Sequence, residues 1–175
     1  MRVVAGELRG RRLASPPRGS AAIRPTSDRA RETLFALLGE LSGLRVCDLF
    51  CGTGALAIEA ISRGADSAVL IDTKPTLARK NVAELGLSRR CDVVRGDAIR
   101  YLERSSERFG LILCDPPYRL ADRLEPKLAE HLPPRLARHG RLAIESAAAR
   151  PLELDLPLVA ERRIGEALIR VHSER

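Results

Sequence analysis

No stretch of this chain approaches the ~18 consecutive apolar residues of a membrane-spanning helix. The opening Met1-Arg2-Val3-Val4-Ala5-Gly6-Glu7 lacks the apolar centre of a secretory signal. A cytoplasmic protein with no membrane contact is therefore expected. Cysteine is sparse: Cys47, Cys51, Cys91 and Cys114 contain no Cys-x-x-Cys pair, and His131, His139 and His172 are scattered late in the chain. That spacing speaks against zinc, and no metal is expected. Cys47, Cys91 and Cys114 stand in or beside apolar runs and read as reduced, buried small hydrophobes rather than nucleophiles. Lysine is nearly missing: Lys74, Lys80 and Lys127 stand beside 27 arginines. Internal repeats and low-complexity tracts are absent too.

What remains is 175 residues of ordinary apolar content, enough for one domain with a small appendage and a real core. The net charge is +7, and residues 1–31 carry +6 of it: Arg2, Arg9, Arg11, Arg12, Arg18, Arg24, Arg29 and Arg31 against Glu7 and Asp28. So local an excess suits a polyanionic partner, although charge runs are also the ordinary solvated face of a protein. Residues 1–14 read as a small basic hairpin turning at Gly6 or Gly10, and Ser15–Ser20 as a turn or linker. We divide the chain into a basic extension, 1–26, and a main domain, 27–175.

From Ser27 or Asp28, a plausible N-cap, apolar residues keep helical spacing to Leu41, with Gly39 or Gly43 to end the helix. Strands and helices then alternate. Strands are predicted at 44–50, 67–71, 92–94, 111–114 and 141–145, and helices at 54–63, 75–85, 98–104 and about 121–132. Segments 159–164 and 167–172, split by Gly165, read as a terminal hairpin. Near-continuous apolar strands between helices imply an α/β fold whose sheet is covered on both faces.

The first strand runs into Asp48-Leu49-Phe50-Cys51-Gly52-Thr53-Gly54-Ala55. A Gly-x-Gly turn between strand and helix makes room for a nucleotide-like ligand at the carboxyl edge of a parallel sheet. Asp72 ends the second strand, 20 residues after Gly52, and can accept from ribose hydroxyls. The pattern also satisfies the dinucleotide fingerprint, so an NAD-linked oxidoreductase competes. Charge separates the two readings. A pyrophosphate at the helix N-terminus would meet Asp48, whereas S-adenosylmethionine brings a sulfonium and an ammonium that a carboxylate attracts. Asp97, after the third strand, can accept from an adenine amino group. Each aspartate could instead be a helix N-cap.

The fourth strand ends in Asp115-Pro116-Pro117-Tyr118. The two prolines lack N–H groups and stiffen the chain. Asp115 accepts hydrogen bonds and Tyr118 offers a face for stacking. The result is a rigid ledge for a planar amine such as the exocyclic NH2 of a nucleobase; alone, it could also be a plain strand stop.

With these residues in view, the chain resembles the class I S-adenosylmethionine-dependent methyltransferases. Within them it is similar to the bacterial family that methylates the N2 amine of a guanine in 16S ribosomal RNA. The resemblance is carried by Arg2-Val3-Val4-Ala5-Gly6, Gly10-Arg11-Arg12-Leu13, Arg24-Pro25-Thr26-Ser27-Asp28-Arg29, the glycine loop, and Asp115-Pro116-Pro117-Tyr118. It implies a Rossmann-like, mostly parallel seven-stranded sheet whose last strand is antiparallel. It implies S-adenosylmethionine held by Asp48, Phe50, Gly52, Thr53, Gly54, Asp72, Asp97 and Ala98. The target guanine would lie at Asp115, Pro116 and Tyr118, with RNA held by Arg9, Arg11, Arg12, Arg24 and Arg29. The implied partner is 16S rRNA in a 30S subunit or assembly intermediate, met by a monomer. Cys51 and Thr53 stand where the family tends to have Ala and Ser, Gly110 replaces a usual Asp, and Ile164-Gly165-Glu166-Ala167 departs from the family's terminal hairpin. The tetrapeptide reads an amine without naming its base, so adenine-N6 methylation stays open. A non-catalytic RNA-binding protein of the same fold is the alternative from another class.

Overall fold

The computed structural model describes residues 1–16 and 28–174. The elements run α1 (Asp28–Leu38), β1 (Arg45–Leu49), α2 (Ala55–Ser62), β2 (Ser67–Asp72), α3 (Thr76–Glu84), β3 (Cys91–Arg95) and α4 (Ala98–Arg104). They continue with β4 (Phe109–Cys114), α5 (Ala121–His131), β5 (Leu136–Ala147), β6 (Leu158–Ile164) and β7 (Ala167–Ser173). All seven strands join one sheet in the order β3-β2-β1-β4-β5-β7-β6. The first five pair in parallel, while β7 runs antiparallel to both β5 and β6. The sheet is thus mixed: six strands run one way and β7 alone is reversed, since Gly165 turns β6 straight back into β7.

The near-continuous apolar strands follow from cover on both faces. On one face Leu34, Phe35 and Leu38 of α1, Ile58 and Ile61 of α2, and Ala78 and Val82 of α3 pack on Val46, Leu70, Leu111 and Leu113. On the other, Ile99 and Leu102 of α4 and Leu128 of α5 pack on Leu49, Ile71, Ile112 and Ile144. Among the described residues, no helix is long and apolar enough to cross a membrane.

Two expectations change in detail. The N-terminal hairpin is a single antiparallel bridge, Arg2 to Arg12, rather than two strands. The N–H groups of Val3, Gly10 and Leu13 donate across the hairpin, to Arg11 O, Val3 O and Met1 O, while other backbone donors turn toward α2. Glu59, fully buried, accepts from the N–H groups of Val4 (2.8 Å) and Ala5 (2.9 Å), and Ser62 Oγ accepts from Leu8 N–H (2.9 Å). Gly6 lies so close to α2 that a Cβ there would meet the Ser62 carbonyl oxygen at 1.7 Å. The fifth strand begins five residues earlier than its apolar run suggests. Leu136 pairs with Phe109 ahead of a register shift, and His139 takes a φ of 60°, which lets a turn-like Arg138-His139-Gly140 stay within the strand. Arg18, Arg24 and Ser27 lie outside the described residues.

Candidate active site

Strand order reverses beside β1: β2 and β3 lie to one side, β4 and β5 to the other. A crevice opens at such a switch point, at the carboxyl ends of the strands. Leu49 pairs with Cys114, so the glycine loop after β1 and the ledge after β4 leave the sheet side by side.

The loop is tightly specified. Phe50 holds a φ of 60°, uncommon for so bulky a residue, before Gly52 at 55° and Gly54 at 76°. At Gly54 a Cβ would meet Leu70 Cδ2 at 2.8 Å and Ala78 Cβ at 3.3 Å, so only glycine lets the loop pass between β2 and α3. Thr53 is buried, and its carbonyl accepts from Asn81 Nδ2 at 2.8 Å.

Two carboxylates lie behind and across this loop. Asp48 is 2% exposed and accepts from Ala57 N–H, in the first turn of α2, at 3.1 Å. Burial raises its carboxyl to about 7; the Ala57 bond opposes the rise and the charge of Asp72 adds to it. Asp72 accepts from Gly52 N–H at 2.9 Å and from Lys74 N–H at 2.7 Å. The Gly52 donor therefore faces a carboxylate, and the Gly54 N–H is spent on Cys51 O at 2.7 Å. A pyrophosphate needs those donors and repels those acids. A cationic, phosphate-free adenosyl ligand fits them.

Asp97 is the N-cap of α4, accepting from Arg100 N–H at 3.0 Å. The helix-cap reading of this residue is thus realised, while its exposed position at the end of β3 keeps it on the rim of the crevice beside buried Ala98. Lys74, Arg79 and Arg95 line an adjoining recess of about 310 Å³.

On the other side of β1, Asp115 is half-buried, Pro116 buried and Tyr118 exposed. The Tyr118 hydroxyl donates to Glu145 Oε1, on β5, at 3.1 Å. Burial raises the Glu145 carboxyl from its ordinary value, and the Tyr118 bond opposes that rise. Sequence reasoning missed Glu145 because it sits in an apolar strand with no motif around it. It missed Asn81, too, whose role exists only once α3 packs beside the loop. All four cysteines are buried free thiols, and burial pushes each thiol up, away from the reactive thiolate.

Arg9, Arg11, Arg12 and Arg29 are all exposed and, among the described residues, enter no ion pair. Arg24 lies outside the described residues.

A family model described as conserved hypothetical protein 95 matches residues 1–172. The ribosomal RNA small subunit methyltransferase D of Escherichia coli K12 is 37% identical over 123 residues, 68% of this chain and 61% of that protein. "Putative rRNA methyltransferase YlbH" of Bacillus subtilis is 36% identical over 126 residues, 68% of this chain and 67% of the relative. The aligned stretch thus spans about two thirds of these relatives or less. Among solved structures, "Putative methyltransferase yhhF" from Escherichia coli superposes with a TM-score of 0.82 at 30% identity, over 100% of this chain and 98% of that one.

Proposed function

The chain belongs to the conserved hypothetical protein 95 family, and from that membership and the geometry of the crevice we propose that it transfers a methyl group from S-adenosylmethionine to the N2 amine of a guanine in 16S ribosomal RNA. One observation carries the reading. The glycine loop and the Asp115–Tyr118 ledge emerge from neighbouring strands in register, Leu49 beside Cys114, so a donor in one faces an amine in the other. The similarity to methyltransferases acting on small-subunit ribosomal RNA supports the substrate class.

S-adenosylmethionine, when bound, supplies an electrophilic methyl on a sulfonium centre. The chain's own residues do the rest. Asp72 and Asp97 offer acceptors for the ribose and adenine edges of the ligand, and Gly52 and Gly54 let it lie close to the backbone. Asp48 stabilises its positive charge from behind the loop. Asp115 and the Pro116 carbonyl accept the two N–H bonds of the target amine, favouring a more pyramidal nitrogen with its lone pair directed at the methyl. Tyr118 stacks on a base swung out of its helix. Catalysis is then chiefly positioning, worth as much as ~7–11 kcal/mol in favourable systems, and Asp115 is placed to receive the departing proton. Arg9, Arg11, Arg12, Arg24 and Arg29 hold phosphates, giving affinity without sequence information. The RNA is met within a 30S particle or assembly intermediate by a monomer, with residues 1–26 as the RNA-contacting extension.

Asp115→Ala separates the two halves of the site. It is expected to lower kcat at least a hundredfold in a labelled-methyl transfer assay, while calorimetry gives a donor Kd within about twofold of wild type. Loss of donor binding would show that Asp115 belongs to the donor side and overturn the assignment.

A further inference from the structure

The Asp115–Tyr118 ledge accounts for an amine but not for the base that bears it. Glu145 stands where that choice is made. Cys114 and Ile144 are register partners in the parallel pair β4–β5, and each is followed directly by a carboxylate, Asp115 just past the end of β4 and Glu145 within β5. Tyr118 bridges the two positions: its backbone continues from Asp115, and its hydroxyl reaches Glu145 Oε1 at 3.1 Å. Glu145 is half-buried and accepts from the Tyr118 hydroxyl through Oε1. An ionised carboxylate offers about four lone-pair sites over its two oxygens, so one such bond leaves it able to accept from a base stacked on the ring.

The chemistry of the two candidate bases differs at the atom beside the amine. Guanine N1 carries a hydrogen and is a donor next to the N2 amine; adenine N1 is a lone-pair acceptor next to the N6 amine. A carboxylate beside the amine ledge completes a hydrogen bond to the first and opposes the second. We propose that Glu145 is the specificity-determining residue, accepting the guanine N1–H while Asp115 and Pro116 hold the N2 amine. This rests on the reading of Asp115–Tyr118 as a nucleobase-amine site. Partial burial strengthens the discrimination, because a carboxylate left facing a lone pair has less water to relieve it.

Small-subunit particles lacking the modification, labelled S-adenosylmethionine and digestion to nucleosides test the assignment. With wild type, label is expected in N2-methylguanosine. Glu145→Ala is expected to lower kcat/KM for that product by about tenfold to a hundredfold, with the donor Kd unchanged and thermal stability not reduced. Tyr118→Phe, which removes the hydroxyl yet leaves the carboxylate, is expected to cost less than Glu145→Ala. Should Glu145→Ala not fold, Glu145→Gln keeps the volume, withdraws the charge and is expected to change activity in the same direction. Guanine methylation within twofold of wild type in the Glu145 variant would overturn the proposal. So would a Tyr118→Phe loss as large as that of Glu145→Ala, because Glu145 would then merely anchor the ring. Label in N6-methyladenosine, or in no nucleic acid, with wild-type protein would instead bring down the underlying reading.

Discussion

Asp48 illustrates how a single buried group ties stability to function. Its folded carboxyl titrates at about 7 against an ordinary 3.8, because burial disfavours the charge. A group raised in the folded state contributes stability that is fully present below its unfolded value and is lost as pH rises through its folded value. From about pH 4 to 7, therefore, ionising Asp48 costs the donor-free protein stability. Asp48→Asn still accepts from Ala57 N–H and escapes that cost. It is expected to unfold with roughly 2–4 kcal/mol more stability at pH 8 in a denaturant titration, yet to bind donor more weakly. Binding a cation favours the ionised form, so donor affinity of the wild type should rise about threefold to tenfold from pH 6 to pH 8 by calorimetry; a flat profile would remove Asp48 from the donor's field. Much at this scale was legible beforehand. Asp48, Gly52, Gly54 and Asp72 occur at a spacing that itself states a strand, a turn and a second strand end. Glu145 and Asn81 were not legible, since each is an ordinary polar residue in its own element and gains meaning from a neighbour 27 or 28 residues away.

Among the elements, the N-terminal segment departs most from a basic tether. Val3 and Leu13 are buried in the core formed by α1, α2 and α3. Asn81, 1% exposed, accepts from Ala14 N–H at 2.7 Å and donates to Ala14 O at 3.2 Å and Thr53 O at 2.8 Å. One amide thereby fastens the segment and the donor loop to α3. Asn81→Ala leaves the buried Thr53 carbonyl and the part-buried N–H and carbonyl of Ala14 without their partner, and is expected to destabilise the fold by about 1–3 kcal/mol, with weaker donor binding than wild type. Deleting the segment would injure both sites at once, so its RNA role is better tested by replacing Arg9, Arg11 and Arg12 with alanine. These three exposed cations should leave donor affinity unchanged while reducing the slope of log K against log salt for RNA by about 2–3; an unaltered slope would place the RNA elsewhere. The clustering of positive charge in residues 1–31 pointed to a polyanionic partner, but the packing of Val3 and Leu13 was hidden because two apolar residues flanking a turn carry no periodicity.

For the whole molecule, the order β3-β2-β1-β4-β5-β7-β6 decides which loops meet. The alternation of apolar strands and helices made the α/β class and the parallel centre legible. The adjacency of β1 and β4 is a property of topology, and it turns two separate motifs into one crevice. The reversed β7 was expected only from the resemblance, since a turn at Gly165 says that β6 and β7 pair without saying which joins the sheet beside β5. The most direct measurement is the identity of the methylated nucleoside after incubation of unmodified small-subunit particles with labelled S-adenosylmethionine. The account predicts a single labelled product, N2-methylguanosine in 16S RNA, abolished by Asp115→Ala. Label on any other atom or base, or none on the RNA, would contradict it.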